Sequence, residues 1–262
     1  MRLLVELRAL GDCAYDLMYF HKLQGFLYGL LRGSCYGGLH DRQGYKFFSF
    51  SNIFPPVDMQ VGDVRRFLVA SPDRGLIRVF KDQLCRISSE GSAVNIGEMS
   101  FVVEDVSVLK PRVGRSCVLA TGTPVVVRVP KANYSRYGIK PPKDYPYVYW
   151  RKRYPFDAFI KQLEDNLFKK YNMFYGTAVE SFPLFEQFVF QKQVCNHVVI
   201  KGREVKVFGS LWRFIFNYLS GEKRKIIQFA LDTGLGELNS LGFGFTNISN
   251  GQVTINRRGK IR

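Results

Sequence analysis

The chain has 262 residues, a net charge of +16, and 46% hydrophobic and 15% aromatic content. This composition excludes a disordered chain, and the apolar stretches are too short and too interrupted to span a membrane. The charge is uneven, since residues 1–115 carry 15 Lys and Arg against 12 Asp and Glu, whereas residues 116–262 carry 23 against 10. The second half thus holds +13, which favours a polyanionic partner such as nucleic acid, although a membrane surface would satisfy the charge as well.

The cysteines and histidines form no pattern of a metal site or a disulfide framework. The 5 cysteines are odd in number, widely separated and without a CxxC pair, and only 3 histidines are present: Cys13, Cys35, Cys85, Cys117, Cys195, His21, His40 and His197. We therefore predict a reduced, cytoplasmic protein that uses no metal and no cofactor. The first residues, with Arg2, Glu6 and Arg8 among them, do not form a signal peptide.

The first half of the chain predicts the element order βαββαβ. Alternating apolar residues from Leu3 to Ala9 indicate a half-buried strand, and apolar residues at helical spacing predict a helix over residues 16–32. The remaining predicted elements are, in order, strands at 45–54 and 63–70, a helix through Leu76, Phe80, Leu84 and Ile87, and a strand at 100–109. This order is that of the ferredoxin-like unit.

The second half repeats this order after a shift in composition near residues 110–112. Its predicted elements are, in order, a strand at 117–129, a helix at 156–171, strands at 185–194 and 198–208, a helix ending near 231, and a strand at 241–248. A basic tail follows, with Arg257, Arg258, Lys260 and Arg262. We therefore predict an α+β fold of two tandem ferredoxin-like (RRM-like, βαββαβ) domains, at residues 1–115 and 116–262.

Residues 234–244, here named the glycine loop, read Gly-Leu-Gly-Glu-Leu-Asn-Ser-Leu-Gly-Phe-Gly and connect the last predicted helix to the last strand. Glycine permits positive φ and lets a ligand approach the backbone. Three interpretations stay open: a helix-to-strand turn that needs small residues, a phosphate cradle of backbone N–H groups, and a nucleotide-binding loop. The loop lacks the Lys-Ser/Thr of a Walker loop and closes a helix instead of opening one, which disfavours the third.

The first predicted helix carries a polar stripe opposite its leucine face. His21, Gly25, Tyr28 and Arg32 follow one another at spacings of four, three and four residues. Just beyond the helix, a predicted loop carries His40 and, six residues later, Lys46. An exposed helix face and a solvated loop are the structural alternative, but loops on rigid scaffolds often hold catalytic side chains.

These segments together resemble a known family. Residues 23–28 (Leu-Gln-Gly-Phe-Leu-Tyr), Leu39-His40 followed by Gly44 and residues 46–51 (Lys-Phe-Phe-Ser-Phe-Ser), and the glycine loop resemble the Cas-six family of CRISPR-associated endoribonucleases. The resemblance implies that Tyr28, His40 and Lys46 are the catalytic residues, in the first domain. It also implies cleavage inside each CRISPR repeat without metal, leaving a 2′,3′-cyclic phosphate and a 5′-hydroxyl.

That reaction is one these residue types can perform. Attack by the RNA's own 2′-OH needs a base, an acid for the leaving 5′ oxygen and a cation for the charge on the phosphorus centre. His40 and Tyr28 form the acid–base pair and Lys46 supplies the cation. Unperturbed pKa values favour His40 as base and Tyr28 as acid, while the family also admits the reverse, and His21 is a rival to His40.

The predicted RNA-binding surface lies mainly in the second domain. Its residues are Gly234, Gly236, Asn239, Ser240, Gly242 and Gly244 of the glycine loop, Lys223, Arg224 and Lys225 ahead of the final helix, and His21 and Arg32 of the first helix. Residues 130–155 interleave tyrosines with Lys and Arg, which suits either a platform for single-stranded RNA or an aromatic loop packed on the domain.

CRISPR repeat RNA is the expected partner, and a homodimer and association with a CRISPR effector complex are the others that the resemblance allows. Two other functions stay open: a CRISPR-associated protein that holds guide RNA without cutting it, and an enzyme that binds nucleotide phosphates at the glycine loop. Retention of Tyr28, His40 and Lys46 together favours the endoribonuclease.

Overall fold

Two larger antiparallel sheets, each accompanied by two helices, and one two-stranded sheet make up the computed structural model, which describes residues 1–141, 143–200 and 202–249. The predicted basic tail lies outside these ranges. No described helix has the length and apolar character needed to cross a bilayer.

The first sheet contains five strands in the order β2-β3-β1-β5-β4. Its elements along the chain are β1 (Arg2–Ala9), α1 (Tyr19–Leu30), β2 (Ser49–Phe50), β3 (Val64–Ala70), α2 (Arg74–Glu90), β4 (Ala93–Ile96) and β5 (Met99–Leu109). Without the edge strand β4, the order is that of a ferredoxin-like sheet, as predicted. α2 begins where the Asp73 carboxylate accepts hydrogen bonds from the backbone N–H groups of Gly75 and Leu76, and it ends at Gly91.

The second sheet repeats this arrangement with the order β11-β6-β10-β9. Its elements are β6 (Cys117–Thr121), α3 (Phe156–Tyr175), β9 (Gln187–Ile200), β10 (Arg203–Phe216), α4 (Gly221–Thr233) and β11 (Thr246–Ser249). Between β6 and α3 the chain forms a separate two-stranded hairpin of β7 (Arg128–Pro130) and β8 (Tyr147–Tyr149). The predicted duplication of the ferredoxin-like unit is confirmed.

Several predicted strands were wrong in extent. The strand predicted at 45–54 is reduced to β2, because Phe47 takes a positive φ of 52° that interrupts extended backbone. The strand predicted at 117–129 ends at Thr121. Beyond it, Val125 forms a single bridge to Ser210 of β10, and the chain then enters the β7–β8 hairpin. The strands predicted at 185–194 and 198–208 form one longer hairpin of β9 and β10.

The two halves share their packing. The core of the first sheet includes five side chains from the second half: Val126, Val198, Val207, Leu241 and Phe243. In return, the buried guanidinium of Arg2 donates to the carbonyls of Leu231 (2.5 Å) and Thr246 (2.6 Å). The division at residues 115 and 116 stays a prediction, since these contacts join both halves into a common interior.

Candidate active site

Tyr28 lies on the partly exposed face of α1, opposite the buried leucines of that helix. Its ring meets the ring of His40 edge to face, with centroids 4.8 Å apart and planes at 89°. The ring of Phe48 also meets the Tyr28 ring edge to face, with centroids 5.7 Å apart. Burial raises the pKa of Tyr28 more than its hydrogen bond with the Ser240 side chain lowers it. The phenol is therefore protonated at neutral pH.

His40 follows a short 3₁₀ turn, Gly37–Leu39, whose last residue is buried and fixes the loop to the core. The imidazole is 64% exposed, and its Nδ1 lies 2.9 Å from Oδ1 of Asp41. Among the described residues Nε2 has no hydrogen-bond partner. The ring is thus held from one nitrogen and open to a ligand at the other.

Lys46 closes the loop that carries His40. Its ammonium donates to the carbonyls of Leu39 (2.7 Å) and His40 (3.0 Å), and also to that of Arg42. Burial lowers the pKa of Lys46, the nearby Arg42 lowers it further, and Asp41 opposes both effects. The lysine therefore brings a positive charge to the site and also fixes the backbone of the histidine.

The glycine loop reaches this cluster from the other end of the chain. Ser240 is hydrogen-bonded to Tyr28 through its side chain, and its carbonyl accepts from the Gln24 amide at 2.8 Å. Nearby, the rings of Phe20 and Phe243 stack with centroids 4.7 Å apart and planes at 9°. The structure thus brings the predicted catalytic residues and one predicted RNA-binding residue into a single site.

The glycines of this loop are buried, and protein atoms fill the space beside them. At Gly244, with φ of +69°, a Cβ would lie 1.9 Å from the carbonyl oxygen of Leu235, and at Gly242, with φ of +91°, it would lie 2.6 Å from the ring of Phe50. The strand predicted at 241–248 starts only at Thr246. Before it lie a 3₁₀ turn, Asn239–Leu241, and the two glycines with positive φ. At these positions the glycines let the chain approach itself, which supports the interpretation of a turn that needs small residues. Contact of the glycine loop with RNA stays a prediction.

Lys170 is a residue of this region that sequence reasoning missed. It is only 1% exposed, and its ammonium donates to the carbonyls of Gly234 (2.7 Å) and Gly236 (3.1 Å) and to Oδ1 of Asn239 (2.9 Å). Burial lowers the pKa of Lys170 to about 7, against the attraction of Glu237. Its sequence signal is a lysine on the apolar stripe of α3, three residues after Leu167.

Known proteins match this chain over its C-terminal part and over nearly its whole length. A protein-family model described as "CRISPR associated protein Cas6, C-terminal" matches residues 109–248. The CRISPR-associated endoribonuclease Cas6 of Haloferax mediterranei is 36% identical over 257 residues, which cover 95% of this chain and 93% of the relative. The chain belongs to the Cas6 family of CRISPR-associated endoribonucleases.

A second relative supports the family, and two solved structures share the fold. The CRISPR-associated endoribonuclease Cas6 2 of Methanocaldococcus jannaschii is 31% identical across 94% of this chain and 99% of its own length. Two solved structures, one described as CRISPR associated protein Cas6 and one as a RAMP protein binding different RNA substrates, each superpose with a TM-score of 0.70 at 19% identity. They cover 95% of this chain and 99% and 100% of their own. The predicted fold class and the predicted family are confirmed.

Some predicted RNA-binding residues of this Cas6-family chain lie away from the cluster. Lys223, Arg224 and Lys225 fall within the first turn of α4 rather than ahead of it, so about 15 Å of helix separates Arg224 from the glycine loop. Their predicted place ahead of the helix was wrong. The binding of RNA by this turn stays a prediction.

The two remaining residues lie on or next to α1. His21 is two helical turns before Tyr28, about 10 Å along the axis, and its buried Nδ1 has no hydrogen-bond partner among the described residues. Arg32 is exposed just beyond the end of α1. A direct role for either in RNA binding stays a prediction.

The donors for a metal site are scattered. Within residues 1–141, 143–200 and 202–249, no group of three or more His, Cys, Asp and Glu residues is placed to hold a metal ion. All five cysteines are free thiols. Independence from metal stays a prediction for the reaction itself.

Proposed function

We propose that this Cas6-family protein matures CRISPR RNA by cutting repeat RNA at the cluster of Tyr28, His40 and Lys46. The observation that carries the proposal is that the three side chains lie together. The ring centroids of Tyr28 and His40 are 4.8 Å apart, and the Lys46 ammonium donates to the His40 carbonyl at 3.0 Å. An acid, a base and a cation within one loop and one helix face are the groups that RNA self-cleavage requires.

In the proposed reaction, His40 is the base. Its free nitrogen takes the proton of a ribose 2′-OH, whose oxygen attacks the adjacent phosphorus. Tyr28 then gives its proton to the departing 5′ oxygen, and its raised pKa supports this role because the phenol keeps that proton at neutral pH. The products are a 2′,3′-cyclic phosphate and a 5′-hydroxyl. Because the nucleophile belongs to the RNA, no activated water and no metal ion are needed.

Two features favour a repeat-RNA substrate. The relatives at 36% and 31% identity are CRISPR-associated endoribonucleases. The net charge of +16, most of it in the second half, favours a long polyanion over a small metabolite. The proposal therefore names the precursor transcript of the CRISPR repeats as the substrate.

The test is cleavage of a repeat transcript in EDTA, with the product ends identified by mass spectrometry. We expect cleavage by the unaltered protein and a loss of roughly 10²- to 10⁴-fold in the single-turnover rate for His40→Ala and for Tyr28→Phe, with RNA affinity retained. His197→Ala is the matched control, since His197 is an exposed histidine on β9.

Three results would contradict the proposal. Undiminished cutting by both His40→Ala and Tyr28→Phe would remove the proposed site. Cutting that stops in EDTA, or that leaves a 3′-hydroxyl, would remove the mechanism. Tight binding of repeat RNA with no product would indicate a protein that holds guide RNA instead.

A further inference from the structure

A second concave surface lies where the β7–β8 hairpin packs against β10. It encloses a cavity of about 400 Å³. We call it the aromatic groove and define it by six of its lining residues: Tyr145, Tyr147, Tyr149, Arg151, Lys206 and Phe208. None of them belongs to the proposed catalytic cluster.

Aromatic rings form much of the surface of the groove. Tyr147 and Tyr149 point to the same side of β8, because alternate residues of a strand share a face, and their rings meet edge to face at 5.6 Å. The Tyr149 ring is also next to the Phe208 ring, with centroids 6.3 Å apart. Tyr145 at the rim is 44% exposed. Ring surface therefore faces a space that ligands can enter.

Positive charges surround these rings. The guanidinium of Arg151 lies 3.7 Å from the centroid of the Phe208 ring, and the exposed Lys206 and Arg153 also line the cavity. Within the described part of the chain, none of these three cations has a carboxylate in salt-bridge contact, and no lining residue is acidic. An anion entering the groove thus meets uncompensated charge.

The glycine loop makes contact toward both the groove and the candidate active site. The guanidinium of Arg128 lies 4.7 Å from the Tyr147 ring and pairs with the carboxylate of Glu237 in the glycine loop. Burial and the charge of Glu237 raise the pKa of Tyr45, while Arg128 lowers it, so Tyr45 lies within electrostatic reach of both. Since Tyr45 immediately precedes Lys46, one chain of neighbouring residues links the groove to the catalytic loop.

We propose that the aromatic groove is a subsite for single-stranded RNA, separate from the cutting site. An unpaired base stacks on the tyrosine rings, and the adjoining phosphates meet Arg151 and Lys206. A cavity of about 400 Å³ lies within the size range of pockets for small organic ligands, and a nucleotide is of that class. This inference rests on the proposed function, since the groove would hold a further part of the repeat strand that is cut beside His40.

The test measures RNA affinity by fluorescence anisotropy, with His40→Ala present in every protein so that the RNA stays intact. The groove variant carries Tyr145→Ala and Arg151→Ala, and the matched control carries Tyr218→Ala and Arg78→Ala, a tyrosine and an arginine that are exposed outside the groove. We expect at least about tenfold weaker binding for the groove variant and less than about twofold for the control. Thermal melts establish that both variants are folded.

A second measurement needs no substitution in the groove. Repeat RNA carrying 4-thiouridine is irradiated on the His40→Ala protein, and we expect crosslinked peptides that contain Tyr145, Tyr147 or Tyr149. If the groove variant fails to fold, this measurement decides the proposal. Crosslinks confined to other segments would overturn it.

The outcomes separate the groove from the cleavage function. Equal affinity of the groove and control variants, with cleavage intact in the protein that retains His40, overturns the groove and leaves the proposed function standing. Weakened binding by the groove variant, with no cleavage by the unaltered protein, supports the groove and overturns the endonuclease. Absence of RNA binding in all proteins overturns both.

Discussion

At the scale of single residues, Lys170 shows how a buried charge can organise a loop. An ammonium carries three N–H donors, and here each meets one oxygen of the glycine loop. Removal from water penalises the charged form and the carboxylate of Glu237 favours it, and the net result is a pKa of about 7. Asn239 extends the same network, since its amide donates to the carbonyls of Leu235 and Phe243 at 3.0 Å each.

This pKa makes stability depend on pH. Between about pH 7 and 10.5 the unfolded chain holds more of the Lys170 proton than the folded chain does, so the contribution of Lys170 to folding improves as the pH rises through that window. We expect the stability difference between the unaltered protein and Lys170→Met to shift in favour of the unaltered protein from pH 7 to 9. The slope should be at most about 1.4 kcal/mol per pH unit.

The measurement is chemical denaturation at pH 6, 7, 8 and 9. Lys169→Met is the matched control, since Lys169 is the exposed neighbour on α3, and its difference from the unaltered protein should not change with pH. A pH-independent difference for Lys170→Met as well would show that Lys170 titrates near its ordinary value.

Tyr28, His40 and Lys46 were singled out from the sequence because the segments that carry them resemble a known family. The hydrogen bonds of Lys46 to the loop carbonyls were not predictable, since they depend on the path that residues 39–46 take in space. The burial of Lys170 was hidden for the same reason: a lysine is rarely buried, so it is interpreted as solvated.

At the scale of elements, the glycine loop is defined by close backbone approach. Leu235 donates its N–H to the carbonyl of Gly244, and Gly244 donates to that of Pro124, both at 2.8 Å. The carbonyl of Leu235 lies where a Gly244 side chain would be. The loop is therefore a packed element that presents Ser240 to Tyr28, and its shape depends on glycine at particular positions.

A single added methyl group tests this account. We expect Gly244→Ala to cost at least about 2 kcal/mol of folding free energy, because a Cβ would collide with a backbone oxygen and the φ of +69° is strained for alanine. Gly29→Ala in α1 is the control, since its Cβ would meet nothing within 4 Å, and it should stabilise by up to about 1 kcal/mol.

Urea unfolding of both variants measures the difference. Equal stability of the two alanine variants would mean that the loop relaxes around the new methyl group, and would remove the packing argument.

Helices were predicted more accurately than strands, for a physical reason. The stripe of Phe20, Leu23 and Leu27 marks α1 over several turns, so a single irregular residue does not hide it. A short strand depends on partners elsewhere in the chain. Residues 45–54 have the aromatic content of a strand, yet only Ser49 and Phe50 pair with β3 as a strand, and Phe54 adds a single bridge to Arg66.

At the scale of the whole molecule, the two halves have the same architecture but very different net charges. Both halves have the ferredoxin-like order, but residues 116–262 hold +13 of the +16. The proposed catalytic cluster lies in the first half, and the excess cations lie in the second. RNA that reaches Tyr28 and His40 is therefore expected to be held mainly by the other half.

This division predicts a steep salt dependence. We expect the affinity for repeat RNA, measured in the His40→Ala protein, to fall at least about tenfold between 50 and 200 mM salt, because each phosphate contact releases counterions. A shallow slope would show that the charge surplus does not supply the binding.

The first turn of α4 can be tested in the same titration. If Lys223, Arg224 and Lys225 all contact phosphates, replacing the three by Gln should lower the slope of log affinity against log salt by about 2, at about 0.7 per contact with a single strand. An unchanged slope would exclude this turn from the RNA-binding surface.

The sequence by itself determined the doubled α+β architecture, the basic character of the second half and the identity of Tyr28, His40 and Lys46 as candidates, because periodicity, charge and residue chemistry are local properties. Only the tertiary structure decided that Ser240 meets Tyr28, that Lys170 binds the glycine loop, and that tyrosines of the β7–β8 hairpin join Phe208 in one groove. Those contacts join residues far apart in the chain, and their positions are set by how the two sheets and their helices pack.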